Sequence, residues 1–256
     1  MVYGIEIFKK YFKDYSEQYV IIGGTACDIL LEEIGVPFRA TKDIDLVVII
    51  ELLNESFAIK LWKFIEDGGY ENRHKSTGKE QFYRFSNPSR TEFPAMIELF
   101  SRKPKEMQLY PDSFLLPIHI SDSIVSLSAI ILNDNYYNLL SKGKSLINGC
   151  SVLKLEYIIL FKIKAWLDLV ERLGSDELID SKMIRKHKND IFRLIINIPP
   201  LNRLEVKGEI RNDIIEFIEK IKEDQLDLNN LGFRTFTPEE LLERIREIYL
   251  NISDSL

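Results

Sequence analysis

Val20-Ile21-Ile22-Gly23-Gly24-Thr25 and, further on, Thr41-Lys42-Asp43-Ile44-Asp45-Leu46-Val47-Val48 are the stretches on which the fold turns. Residues 19–22 form a short, β-branched apolar run that stops at two glycines, and residues 25–34 then carry apolar side chains at helical spacing up to Gly35. This reads as strand, tight turn and helix. Val36-Pro37 breaks the helix, residues 39–42 make a polar connection, and residues 44–50 read as a strand apolar enough to be covered on both faces. Two carboxylates open that strand at positions i and i+2, so strand alternation places Asp43 and Asp45 on one face while Ile44 and Leu46 pack on the other. Like charges held so close repel unless a divalent cation joins them, and hard oxygen ligands suit Mg2+ or Mn2+. The competing reading is a polar strand mouth neutralised by Lys42 or Arg39.

The glycines upstream permit close backbone approach, and the helix that follows directs free N–H groups and its positive dipole end toward an anion. A phosphate cradle beside paired carboxylates is a layout for phosphoryl transfer. Working outward, residues 56–67 read as a helix closed by Gly68-Gly69, and residues 81–85 and 95–100 as strands separated by Asn87-Pro88-Ser89. The second of these strands carries Glu98 in its apolar middle, a costly place for a charge without a partner. That partner is either the same metal site, in which a third acid ligates an ion or accepts a proton, or an arginine among Arg84, Arg90 and Arg102. A hairpin is expected from residues 126–132 and 136–140 around Asn133-Asp134-Asn135.

Beyond Gly149 the pattern turns helical, with 3.6-residue periodicity over residues 155–173, 182–196, 210–222 and 238–250. Thr237, Pro238 and Glu240 make a capping box at the start of the last helix. The fold class expected is therefore α+β, with a small mixed sheet flanked by helices over residues 1–149 and a mainly helical domain over 150–256. No internal repeat or low-complexity tract interrupts it.

The 256 residues carry 45% apolar and 29% charged content, which suits one large or two modest domains with a real core. A net charge of −6 excludes a protein that coats nucleic acid through a general field, so any RNA contact is local. Residues 154–203 lean basic, with 10 Lys/Arg against 7 Asp/Glu. Cys27 and Cys150 are too few for a disulfide framework, and the N-terminal stretch lacks a signal peptide's apolar run. A cytoplasmic protein without a membrane span is expected. His74, His119 and His187 show no metal-ligand spacing and read as surface or capping residues, and the Phe and Tyr residues read as core.

Gly23-Gly24-Thr25, Arg39-Ala40-Thr41-Lys42-Asp43-Ile44-Asp45 and Ile97-Glu98-Leu99 together resemble the DNA polymerase beta-like nucleotidyltransferase superfamily, over residues 19–100. Within it, the R-x-T-x-D-x-D spacing is most similar to the AbiEii-type toxin nucleotidyltransferases of toxin-antitoxin and phage-defence loci. The resemblance implies a nucleotidyltransferase sheet, Mg2+ or Mn2+ on Asp43, Asp45 and Glu98, and an NTP bound by Gly23, Gly24, Thr25, Arg39 and Thr41. It also implies an RNA acceptor such as tRNA, or a protein acceptor, and a cognate antitoxin. Many members have Gly-Ser in the turn; here Gly24 takes the serine's place, and Thr25 would supply the hydroxyl one position later. The glycine turn is also similar to that of CCA-adding enzymes and poly(A) polymerases, but their arginine-rich strand is replaced by Glu51-Leu52-Leu53-Asn54-Glu55.

AbiEii-type enzymes also carry helical motifs with lysine and aspartate, which Lys162-Ile163-Lys164-Ala165 and Lys186-His187-Lys188-Asn189-Asp190 resemble. Phosphoryl transfer usually combines metal ions with a basic side chain, and the N-terminal half offers no assured cation. Lys164, inside an apolar helical run, and Asp190 are therefore expected to serve catalysis; a surface ion-pair ladder of Lys164, Asp168 and Arg172 is the alternative. Transfer of a nucleoside monophosphate to a hydroxyl acceptor leads the functional readings, ahead of antibiotic nucleotidylylation and a scaffold without turnover.

Overall fold

The computed structural model describes residues 3–71, 83–103, 115–118, 127–173, 181–223, 233 and 235–250. His74 and His119 lie outside them, as do residues 81–82 and 126 at the ends of two expected strands. The chain divides into two compact units, Met1–Lys154 and Leu155–Leu256.

The first unit is mixed α/β. Helix α1 (Ile5–Phe12), strand β1 (Tyr19–Ile22), helix α2 (Gly23–Glu33), strand β2 (Asp43–Val48) and helix α3 (Glu55–Gly68) come first. Strands β3 (Arg84–Ser86), β4 (Met96–Ser101), β5 (Leu115–Ile118) and β6 (Leu127–Ile131) follow, then helix α4 (Asp134–Gly143) and strands β7 (Lys144–Ile147) and β8 (Cys150–Leu153). Among the described residues the strands form one sheet in the order β5-β6-β4-β2-β1-β8-β7, with β3 also paired to β4. β2 runs parallel to β4 and antiparallel to β1, and β1 runs parallel to β8. The sheet therefore continues through residue 153, beyond the glycine at 149.

Burial follows strand alternation. Ile21, Leu46, Ile44, Ile97, Leu99 and Phe85 are fully buried on one face of the central strands. Ring contacts show what covers it: Phe8 of α1 lies edge-on to Tyr19 of β1 at 5.4 Å, and Trp62 of α3 lies edge-on to Phe85 of β3 at 6.1 Å. Phe8, Phe12, Phe57, Phe64 and Phe93, all inaccessible to solvent, continue this aromatic layer. α1 and α3 thus cover the face opposite the one that carries Asp43, Asp45 and Glu98.

One expectation is corrected. Residues 136–140 belong to helix α4, so β6 has no hairpin partner there. The Asn133 side chain accepts a hydrogen bond from the Asn135 amide and Asp134 sits in the first turn, both helix-start devices. Buried Tyr136, Tyr137, Leu139 and Leu140 then recur at helical rather than strand spacing. Helix α1 and strands β5, β7 and β8 are additional to the elements expected.

The second unit holds helices α5 (Leu155–Leu173), α6 (Ser181–Ile195), α7 (Gly208–Glu223) and α8 (Pro238–Tyr249). The expected capping box of Thr237 and Glu240 starts α8. Trp166 of α5 packs edge-on against Phe217 of α7 at 5.2 Å. Arg244 of α8 donates to the carbonyls of Ile195 and Ile198, tying off the C-terminal end of α6.

Candidate active site

Strand register gathers the acidic residues. Asp45 is opposite Glu98 across the parallel β2–β4 pair, and Ile22, the last residue of β1, is opposite Asp45 on the other side. Residues opposite one another in a sheet point to the same face, with strands about 4.8 Å apart. Asp43, two residues before Asp45, shares that face. Asp43 and Asp45 are half-buried at the mouth of β2, whereas Glu98 retains only 9% exposure.

The glycine turn closes on this row. Gly23 has φ +68°, in the left-handed region, and a Cβ there would collide with Oδ2 of Asp45. At Gly24 a Cβ would lie 2.9 Å from Oγ1 of Thr41 and 3.2 Å from Nη2 of Arg39. The first turn of α2 is thus pressed against Asp45, Thr41 and Arg39 at once. Its N-cap, Ile22, gives no side-chain cap and the turn contains no acidic residue, so its leading N–H groups keep their pull on an anion.

Two of the expected nucleotide-binding residues are fixed in this arrangement. Thr25 is fully buried and its hydroxyl donates to the backbone carbonyl of Asp43 at 2.5 Å. A hydroxyl has one proton to give, and that of Thr25 is given to β2, tying α2 to the mouth of the strand. Arg39, expected at the nucleotide, does bring its guanidinium to the glycine turn, so the first unit has a cation beside the acids.

Of its two expected partners, Glu98 has the arginine. Its backbone is in register with Asp45, yet its Oε1 accepts from Nε of Arg84 at 2.8 Å and also from Nη2. Among the described residues, no three His, Cys, Asp or Glu side chains stand grouped to hold a metal ion. Asp43 and Asp45 fit a hard divalent cation by donor chemistry and shared face; Glu98, turned onto Arg84, does not complete the set.

In the second unit, Lys162 of α5 donates to Oδ2 of Asp190 of α6 at 2.8 Å, with both side chains buried. Lys164 instead pairs with Asp168 one turn along the same helix at 2.8 Å. Partial burial pulls the Lys164 ammonium down, but Asp168, with Asp213 and Glu209 of α7, holds it above its ordinary value. A lysine among three acids is poorly placed to receive a phosphate. Of the two residues expected to serve catalysis here, Asp190 is thus paired with Lys162, and Lys164 takes part in the expected surface pair with Asp168. The sequence signal for this was periodic: Lys162 lies four residues after Ile158 and four before Trp166, on the buried stripe of α5.

No family model matches the chain, and no curated protein matches it. Among solved structures it is similar to the polyadenylate synthase of Megavirus, with a TM-score of 0.39 and 14% identity over 86% of this chain. The chain spans 36% of the length of that protein. It is also similar to a presumed nucleotidyltransferase from H. pylori, with a TM-score of 0.35 and 13% identity, covering 96% of this chain and 92% of the other. No described helix is long and apolar enough to cross a membrane.

Proposed function

We propose that this chain is a metal-dependent nucleotidyltransferase that moves a nucleoside monophosphate from an NTP to a hydroxyl acceptor and releases pyrophosphate. The observation that supports it is the junction of the Gly23-Gly24 helix start with the Asp43, Asp45 and Glu98 row across β2 and β4. On this reading Asp43 and Asp45 hold Mg2+ or Mn2+, which would shield the triphosphate and acidify the attacking hydroxyl. The leading amides of α2 bind phosphate oxygens, and Arg39 adds a planar, always-charged donor beside them. The acceptor oxygen bonds to the α-phosphorus as the bond from that phosphorus to the β-phosphate's bridging oxygen breaks. Once its carboxylate leaves Arg84, Glu98 would join Asp43 and Asp45 as a third metal ligand or take the acceptor's proton. Resemblance to the AbiEii-type enzymes points to RNA, tRNA included, or a protein as acceptor, and to a toxin role with a cognate antitoxin. In the helical unit that resemblance implies a lysine and an aspartate, expected as Lys164 and Asp190; the buried pairing of Lys162 with Asp190 supports Lys162 as the lysine instead.

Incubation with each α-labelled NTP, Mg2+ and total cellular RNA or lysate tests the reading, because the labelled product names donor and acceptor together. Label transfer that disappears in Asp45→Asn is expected. Absence of transfer and of pyrophosphate release with all four NTPs sinks it.

A further inference from the structure

Glu98 stands between two neighbours in one row of the sheet: Asp45 of β2 on one side and Arg84 of β3 on the other. Its carboxylate has chosen the arginine, and a single oxygen receives two N–H donors. The two side chains differ in freedom, since that of Glu98 is 11% exposed and that of Arg84 45%. The guanidinium can swing into solvent or onto a new anion without unpacking the core. The buried carboxylate cannot follow it, and its remaining direction along the row is toward Asp45.

We propose that Arg84 is a positioning residue that keeps Glu98 out of the metal set until nucleotide phosphates offer its guanidinium another anion. This rests on the nucleotidyltransferase reading above. Arg84 supplies the positive charge that Glu98 needs, and that contact turns Glu98 away from a three-carboxylate grouping with Asp43 and Asp45. A cation that takes all three must first displace a charge-assisted, two-donor contact, so free metal binds weakly. Triphosphate oxygens match guanidinium geometry as well as a carboxylate does. Once Arg84 moves to them, Glu98 is released toward Asp45, and nucleotide and metal bind with positive coupling, each strengthening the other by the same factor. The device guards the site against taking up a cation with no substrate present.

The test is Mn2+ binding to the nucleotide-free protein, read from the electron paramagnetic resonance of free Mn2+, with far-UV circular dichroism on each variant. Arg84→Met is expected to bind Mn2+ at least about fivefold tighter than wild type, the scale of losing one half-exposed competing ion contact. The gain is expected to vanish in Arg84→Met/Glu98→Gln. Arg84→Gln, which keeps a polar strand residue, gives the same readout if the methionine variant misfolds. Affinity unchanged or weakened on removing Arg84, a gain that survives Glu98→Gln, or no measurable binding in the Arg84 variants overturns the proposal. Asp45→Asn separates it from its foundation: Mn2+ binding that ignores Asp45 rejects the active site itself, whereas binding that needs Asp45 but ignores Arg84 rejects only the role of Arg84.

Discussion

Thr25 and Gly23 sit two residues apart and answer to different physical demands. Thr25→Val keeps the volume but removes the part-buried hydrogen bond to the Asp43 carbonyl, which costs about 1 kcal/mol. Chemical denaturation is expected to show that loss, with Thr25→Ser restoring most of it. Gly23→Ala is worse in two ways, because the added Cβ is strained at φ +68° and displaces the Asp45 carboxylate. It is expected to abolish turnover along with a loss of stability. Asp43→Asn and Asp45→Asn are the opposite case: they relieve like-charge repulsion, so turnover is lost while the melting temperature holds or rises. A folded Asp45→Asn enzyme with wild-type Mg2+-dependent turnover would remove these residues from the site. The acid pair was legible in the sequence because a period of two needs no tertiary knowledge. The partner of Thr25 was not, since its hydroxyl bonds a carbonyl 18 positions away that only the folded chain brings near.

At the scale of elements, periodicity located each described helix of the second unit, with ends within two residues of those observed. It failed at α4, where a short Tyr- and Leu-rich run satisfies strand propensity and the asparagine cap tips the choice to helix. That helix delivers Tyr137, whose hydroxyl donates to Glu51 at 2.7 Å and accepts from the Ile50 amide at 3.1 Å. Burial alone would raise the Glu51 carboxyl, but the bonds from Tyr137 and Arg102 hold it below its ordinary 4.5. A lowered folded-state value stabilises the protein above that ordinary value and is lost as pH falls through the lowered one. Acid titration is therefore expected to destabilise wild type below about pH 4.5 more steeply than Glu51→Gln. Between α5 and α6 the contrast is of burial: Lys162→Met strands a buried aspartate and is expected to cost about 3 kcal/mol or more, whereas Lys164→Met removes a surface pair worth under about 0.5 kcal/mol. Equal losses for the two variants in urea unfolding would contradict this assignment.

Across the whole molecule, the face behind the acids is closed by aromatic side chains, so the scaffold is expected to fold without metal. Treatment with a chelator is expected to end turnover while leaving far-UV circular dichroism unchanged; unfolding on chelation would make the metal structural. The order of strands has a consequence for how the protein comes into being. β1, whose last residue leads into the glycine turn, is flanked by β2 on one side and by β8 on the other, with Ile21 opposite Val152. During synthesis β2 meets β1 almost at once, but the other edge of β1 waits until more than a hundred further residues have left the ribosome. Until then a buried, β-branched strand presents open backbone groups to any other nascent chain, so the interval before residue 153 emerges is when this protein most needs chaperone cover. A fragment ending at residue 149 would make that interval permanent.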